Sequence, residues 1–156
     1  LRVTDALADA IIPAEGSFPP ASEVLVPDFI DEWVSAPYPE QQNDRKIILP
    51  GLLWLQQESL DRFGNGFSSI SLENQSAILD EIAWRASVAP GRQKEAAFFG
   101  RFRFLTVSAY YLSDAGTEDI GYMGNTPMAG PYPGPTDEAL EHLRGVLKSL
   151  DLSAEI

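Results

Sequence analysis

Acid–base chemistry in this chain has one histidine to draw on, His142, flanked by Glu138, Glu141 and Arg144. That setting reads as a solvated helix surface, not as the surroundings of a tuned base. A serine-nucleophile triad would have to use His142, and the G-x-S-x-G elbow that presents such a serine is absent. There is no cysteine, which removes thiolate zinc sites, iron–sulfur ligation, c-type haem attachment and cysteine nucleophiles. A single imidazole also rules out a two-histidine metal motif within the chain. Carboxylates are abundant, and they fall in adjacent pairs at Asp31/Glu32, Asp80/Glu81 and Glu118/Asp119. Two carboxyls can run a glycosidase, but neighbours along a helix do not converge on one point. Loop carboxylates can hold calcium, yet the EF-hand spacing is missing. The expectation is a chain with no catalytic, cofactor-binding or metal-binding residue of its own.

The segment 116–135 differs in kind. Five glycines and four prolines fill nine of its twenty positions, a density that predicts no helix. Long loops without secondary structure are uncommon in compact domains and are usually functional or disordered. Disorder generally lacks aromatics, whereas this segment holds Tyr122 and Tyr132. It reads either as an ordered loop covering the core or as a shaped surface docked on a partner. Tyrosine suits both, since its ring buries area while its hydroxyl stays hydrogen-bonded. Gly121-Tyr-Met-Gly124 has the look of a phosphate-cradling turn, but it follows no predicted strand and brings no P-loop lysine.

The remaining elements read as helices. Phe98, Phe102, Leu105, Ala109 and Leu112 step by four and three and predict one helix face over 94–113. Ser71 caps a predicted helix over 72–87, with Leu72, Leu79, Ile82 and Ala86 on one stripe and Ile78 and Ala83 widening it. A third covers 42–63, with Ile48, Leu52, Leu55 and Phe63 inward. Pro50 lies inside it, so a kink or a break into two shorter helices is expected near Leu49. A short helix over 4–12 is expected to be capped by Thr4 and stopped by Pro13. Another over 27–35 starts at Pro27 and turns Phe29, Ile30 and Trp33 inward. The last, over 137–149, is capped by Thr136, with Leu140, Leu143 and Leu147 on its apolar side. No stretch alternates with period two. The fold class is all-α: a helical bundle with a long ordered Gly/Pro-rich loop near the C-terminus, read as one domain over 1–156.

Composition bounds the partners. With 156 residues, about 69% of the unfolded chain's surface can be buried without staples. The net charge is −12, concentrated at the ends: −7 over 1–40, +1 over 41–113 and −6 over 114–156. Such a chain is a poor ligand for nucleic acid, which needs clustered Lys and Arg. No apolar run is long enough for a membrane span. The sequence opens on Leu1, not Met, so it reads as processed or truncated there, and an export signal would lie in the part before it.

The order of several motifs resembles the gluconate 2-dehydrogenase subunit 3 family. It begins with Leu7-Ala-Asp-Ala-Ile-Ile-Pro13 and Val26-Pro-Asp-Phe-Ile30. Phe98-Phe99, Phe102-Arg103 and Leu105-Thr106 follow, and Tyr110-Tyr111-Leu-Ser-Asp114 leads into Gly121-Tyr-Met-Gly-Asn125 and Gly130-Pro-Tyr-Pro-Gly134. The Gly-Tyr-x-Gly-Asn segment with the later Tyr-Pro-Gly is the most specific part. The resemblance implies a non-catalytic small, or gamma, subunit of an FAD-dependent sugar or glucoside dehydrogenase working in the periplasm. FAD and the catalytic residues would belong to a large partner flavoprotein of the glucose-methanol-choline type. A cytochrome c subunit often takes the electrons in such complexes. The small subunit would supply a twin-arginine export signal and support its partner's folding. Tyr122, Met123, Asn125, Tyr132 and Pro133 are the residues expected at the partner interface. The competing reading is a stand-alone acidic carbohydrate-binding or hydrolase domain, with sugar held at Trp and Tyr residues.

Overall fold

The computed structural model describes residues 2–84, 88–124, 129–131 and 133–152. Two compact units divide the chain, Leu1–Tyr122 and Met123–Ile156. Among the described residues the first holds six α-helices: α1 (Val3–Ile11), α2 (Val26–Ser35), α3 (Pro39–Phe63), α4 (Leu72–Ala83), α5 (Gln93–Tyr110) and α6 (Asp114–Asp119). Two 3-10 turns, Ala21–Val24 and Phe67–Ser69, join them. The second unit contains α7 (Asp137–Ser149). Among the described residues there is no strand, and the all-α expectation holds.

The core of the first unit is built on α3 and α5. Asp44, Ile48, Gly51, Leu55 and Ser59 form the buried side of α3. Phe98, Phe99, Phe102, Leu105 and Thr106 form that of α5. Asp44 pairs with Arg101, Gly51 lies under Phe98, and Glu58 pairs with Arg92. Rising numbers on α3 meet falling numbers on α5, so the two helices run antiparallel. Gly51 is what lets them close. A Cβ at that position would stand 2.0 Å from the Phe98 ring, inside any allowed contact. Leu7, Val26, Ile30, Phe67, Ile78 and Ile82 from the surrounding elements are fully buried against them.

Several local expectations are corrected. α3 is one uninterrupted helix of 25 residues despite Pro50. The missing N–H removes one rung of the ladder, while α5 engages α3 on both sides of Pro50, at Asp44–Arg101 and at Glu58–Arg92, and holds both halves in line. It also starts earlier than expected, with Pro39 in its first turn, where a proline costs no hydrogen bond. Arg2, not Thr4, stands at the N-cap of α1, and Asp5 reaches back to accept its backbone N–H at 3.1 Å. α4 ends at Ala83, and Ala86 lies outside the described residues. Leu72, expected inward, is exposed on the first turn of α4. α5 stops at Tyr110, leaving Leu112 beyond the helix and exposed. The caps at Ser71 and Thr136 stand as expected, accepting from the N–H groups of Asn74 and Ala139. α7 has no buried residue, and Leu143 is exposed.

Candidate interaction surface

The surface around the Gly/Pro-rich segment begins where α5 ends. The Tyr110 hydroxyl donates to the carbonyl of Pro19 at 2.9 Å, fixing the end of the helix to the loop after α1. The Ser113 hydroxyl donates to the Tyr110 carbonyl at 2.6 Å and accepts from the N–H of Gly116 at 3.1 Å. One side chain therefore terminates α5 and caps α6. This overturns the expectation that glycine and proline exclude any helix from 116 onward. α6 runs through Gly116 to Asp119, because its glycine is demanded by packing. A Cβ on Gly116 would lie 2.1 Å from the Tyr110 carbonyl oxygen.

α6 closes with a Schellman arrangement. The N–H of Tyr122 donates to Thr117 and that of Gly121 to Glu118, both at 2.9 Å, with Gly121 at a φ of 62°. The first glycine of Gly-Tyr-Met-Gly is thus a helix stop, and its left-handed backbone explains the residue type.

Tyr111 packs edge-on against Tyr110, with ring centroids 5.3 Å apart, and its hydroxyl donates to Asp119 at 3.2 Å. The two rings, Ile12, Phe18, Glu15 and Asp119 line a cleft of about 200 Å³. Burial, followed by the nearby Asp119 carboxylate, raises the pKa of Tyr110 above the ordinary phenol value. Burial and the hydrogen bond to Asp119 do the same for Tyr111. Both phenols stay protonated at neutral pH.

Of the expected interface residues, Tyr122 is 58% exposed at the end of the first unit, and Met123 is 89% exposed at the start of the second. Pro133 is exposed. Asn125 and Tyr132 lie outside the described residues. The carboxylate pairs do not assemble into a joint site. Asp119 serves Tyr111, and Glu81 pairs with Arg62. His142 is exposed on α7. Among the described residues, no three or more of His, Asp and Glu are placed to hold a metal, and no helix is long and apolar enough to cross a membrane.

Two polar clusters escaped the sequence reading. Asp44 is buried between three helices. It accepts from Trp33 Nε1 of α2 at 2.8 Å and from Arg101 Nε of α5 at 2.7 Å. The detectable signal was its place in register with Ile48 and Leu55, a charge on an apolar stripe. Glu58, Arg62, Glu81 and Arg92 form a second network tying α3 to α4 and to the start of α5. Burial opposes the charge on Glu58, but hydrogen bonds from Arg92 and Arg62 outweigh it, so its pKa falls below the ordinary value. That of Glu81 falls through its bond to Arg62.

A family model described as gluconate 2-dehydrogenase subunit 3 matches residues 1–134. It covers the whole first unit and the Gly/Pro-rich segment as far as Gly134. Comparison with curated proteins and with solved structures finds no match.

Proposed function

The chain belongs to the gluconate 2-dehydrogenase subunit 3 family, and from that premise we propose that it is the non-catalytic small subunit of a periplasmic FAD-dependent sugar or glucoside dehydrogenase. In this reading it binds a flavoprotein of the glucose-methanol-choline type and supports that partner's folding and export. A cytochrome c subunit completes the electron path. FAD and the reacting groups sit on the large subunit. The observation that carries the proposal is the family match across 134 residues.

The geometry is consistent with a binding role. Of the paired carboxylates, Glu81 and Asp119 are engaged in holding elements together, Glu81 with Arg62 and Asp119 with Tyr111. Large apolar side chains, Tyr122 and Met123 among them, remain at the surface. Exposed aromatic and Met side chains are what protein interfaces enrich.

The test is to co-express the chain with a flavoprotein of the glucose-methanol-choline type from the same source. The expected result is a flavin-absorbing complex whose yield collapses when the chain is omitted. A flavoprotein that folds, is exported and oxidises sugar at full yield alone, beside a colourless monomer of this chain, would overturn the proposal. Calorimetric heat from sugar binding to the isolated chain would point instead to a carbohydrate-binding module.

A further inference from the structure

The outer side of α3 carries the second feature that the fold alone does not explain. Leu49, Leu53 and Leu60 follow one another by four and seven residues, on the side away from Ile48, Leu55 and Ser59. All three are exposed, Leu53 at 73%. A helix apolar on its outward face as well as its core face is normally covered on both. Beside this stripe lies a groove of about 260 Å³ between α3 and α5. Its lining includes Ile47, Pro50, Trp54 and Ala97, with the exposed lysines Lys46 and Lys94 also on it. Arg92 stacks over the Trp54 ring at 5.2 Å. Glu95 is the one acid in the lining, so the balance of charge around the groove is positive in a chain whose net charge is −12.

We propose that this groove and the leucine stripe form a docking face for the catalytic flavoprotein subunit, filled by an apolar segment of that subunit flanked by carboxylates. The proposal rests on the subunit reading above and adds a surface distinct from the Gly/Pro-rich segment. Charge decides between occupants. A second copy of this chain would meet it through a two-fold contact that sets each patch against itself. Lys46 and Lys94 would then face their own kind, between molecules that already repel. An apolar partner rimmed with acids fills the groove and pairs the lysines.

The experiment is a competition for incorporation. Tagged variant and untagged wild-type chains are co-expressed with the flavoprotein subunit, and their ratio in the purified flavin-containing complex is measured. Leu53→Glu and the double change Lys46→Glu/Lys94→Glu should each be under-represented at least tenfold. Leu53→Lys, which keeps the attraction to an acidic rim, should lose less than Leu53→Glu. Leu53, Lys46 and Lys94 are exposed, and thermal melting of each isolated variant confirms that folding is intact. Equal incorporation of all variants overturns the proposal. So does equal incorporation combined with the loss of a dimer of the isolated chain, which assigns the face to a second copy. Failure of the wild-type chain itself to enter any flavin-containing complex sinks the subunit reading, a separate outcome.

Discussion

Removing either partner of the Asp44–Arg101 pair should destabilise the helical body, and the two losses should be unequal. Asp44 has a side chain only 9% exposed, held by Trp33 Nε1 and by two guanidinium nitrogens of Arg101. In Arg101→Ala the carboxylate stays behind with a single neutral donor. Stranding a buried charge costs about 3–5 kcal/mol. In Asp44→Ala the group left behind is the guanidinium, which is 30% exposed and lies over the Phe104 ring at 4.9 Å. Water reaches it, so the stranded-charge cost is largely screened. What remains is the Trp33 N–H without its acceptor, together with the lost charge-assisted bonds, about 2 kcal/mol. For a chain of this size 1 kcal/mol moves the melting temperature by roughly 2–4 °C. Arg101→Ala should therefore fall by about 6–20 °C and Asp44→Ala by about 4–8 °C. Urea unfolding followed by tryptophan fluorescence measures both without adding salt that screens the pair. Equal losses, or a larger loss for Asp44→Ala, would refute the argument that burial of the residual charge sets the cost. Replacing both residues by leucine should cost less than Arg101→Ala alone, since no charge is stranded.

Three further outcomes follow from particular side chains. Thr106 is fully buried on α5, and its hydroxyl has no hydrogen-bond partner among the described residues. Thr106→Val keeps the shape and removes the unpaired group, so stability should rise by about 1 kcal/mol, read as a higher urea midpoint. Gly116→Ala places a methyl against backbone atoms of Tyr110 and Tyr111 that have no room to yield. It should cost about 1–3 kcal/mol and speed amide exchange at Tyr122, whose N–H closes α6. Acid should weaken the fold through the Glu58–Arg62–Glu81 network. Both carboxylates have folded pKa values below the ordinary 4.5, so on acidification the unfolded chain binds protons first. Their contribution is full above pH 4.5 and is lost as pH falls below it. Arg62→Met should flatten that decline in an acid titration of stability.

The sequence carried the helices whose apolar residues keep to one side and whose ends bear caps. α7 has the bounds expected of it, from the Thr136 cap to Ser149, and the Phe98–Phe102–Leu105 face of α5 is buried as read. It carried least where tertiary contacts override a local rule. Pro50 does not break α3, because neighbouring helices support both halves. Gly116 does not stop α6, because its missing side chain is what lets the helix sit on the end of α5. The leucines on the outer side of α3 were hidden for a related reason. Apolar residues lie all around that helix, so no single stripe stands out until burial separates the two sides. Glycine and proline density did mark the segment from Gly121 onward as unlike the rest. The partners of Asp44 were out of reach, since Trp33 and Arg101 approach it from helices 11 and 57 residues away.

Gly51 and Phe98 occupy one shared volume, and this has a consequence for how sequences of this fold can drift. The space a side chain would need at 51 is already filled by the ring at 98. A larger residue at 51 is admissible only after the ring has been exchanged for something smaller. Yet a smaller residue at 98 with glycine still at 51 leaves a cavity between the two main helices, which costs several kcal/mol for an aromatic lost from a core. Both single steps are uphill, and only the paired change restores the packing. The two positions form a lock that point substitution alone rarely opens. Across relatives, residue volumes at 51 and 98 should vary inversely, with the total preserved.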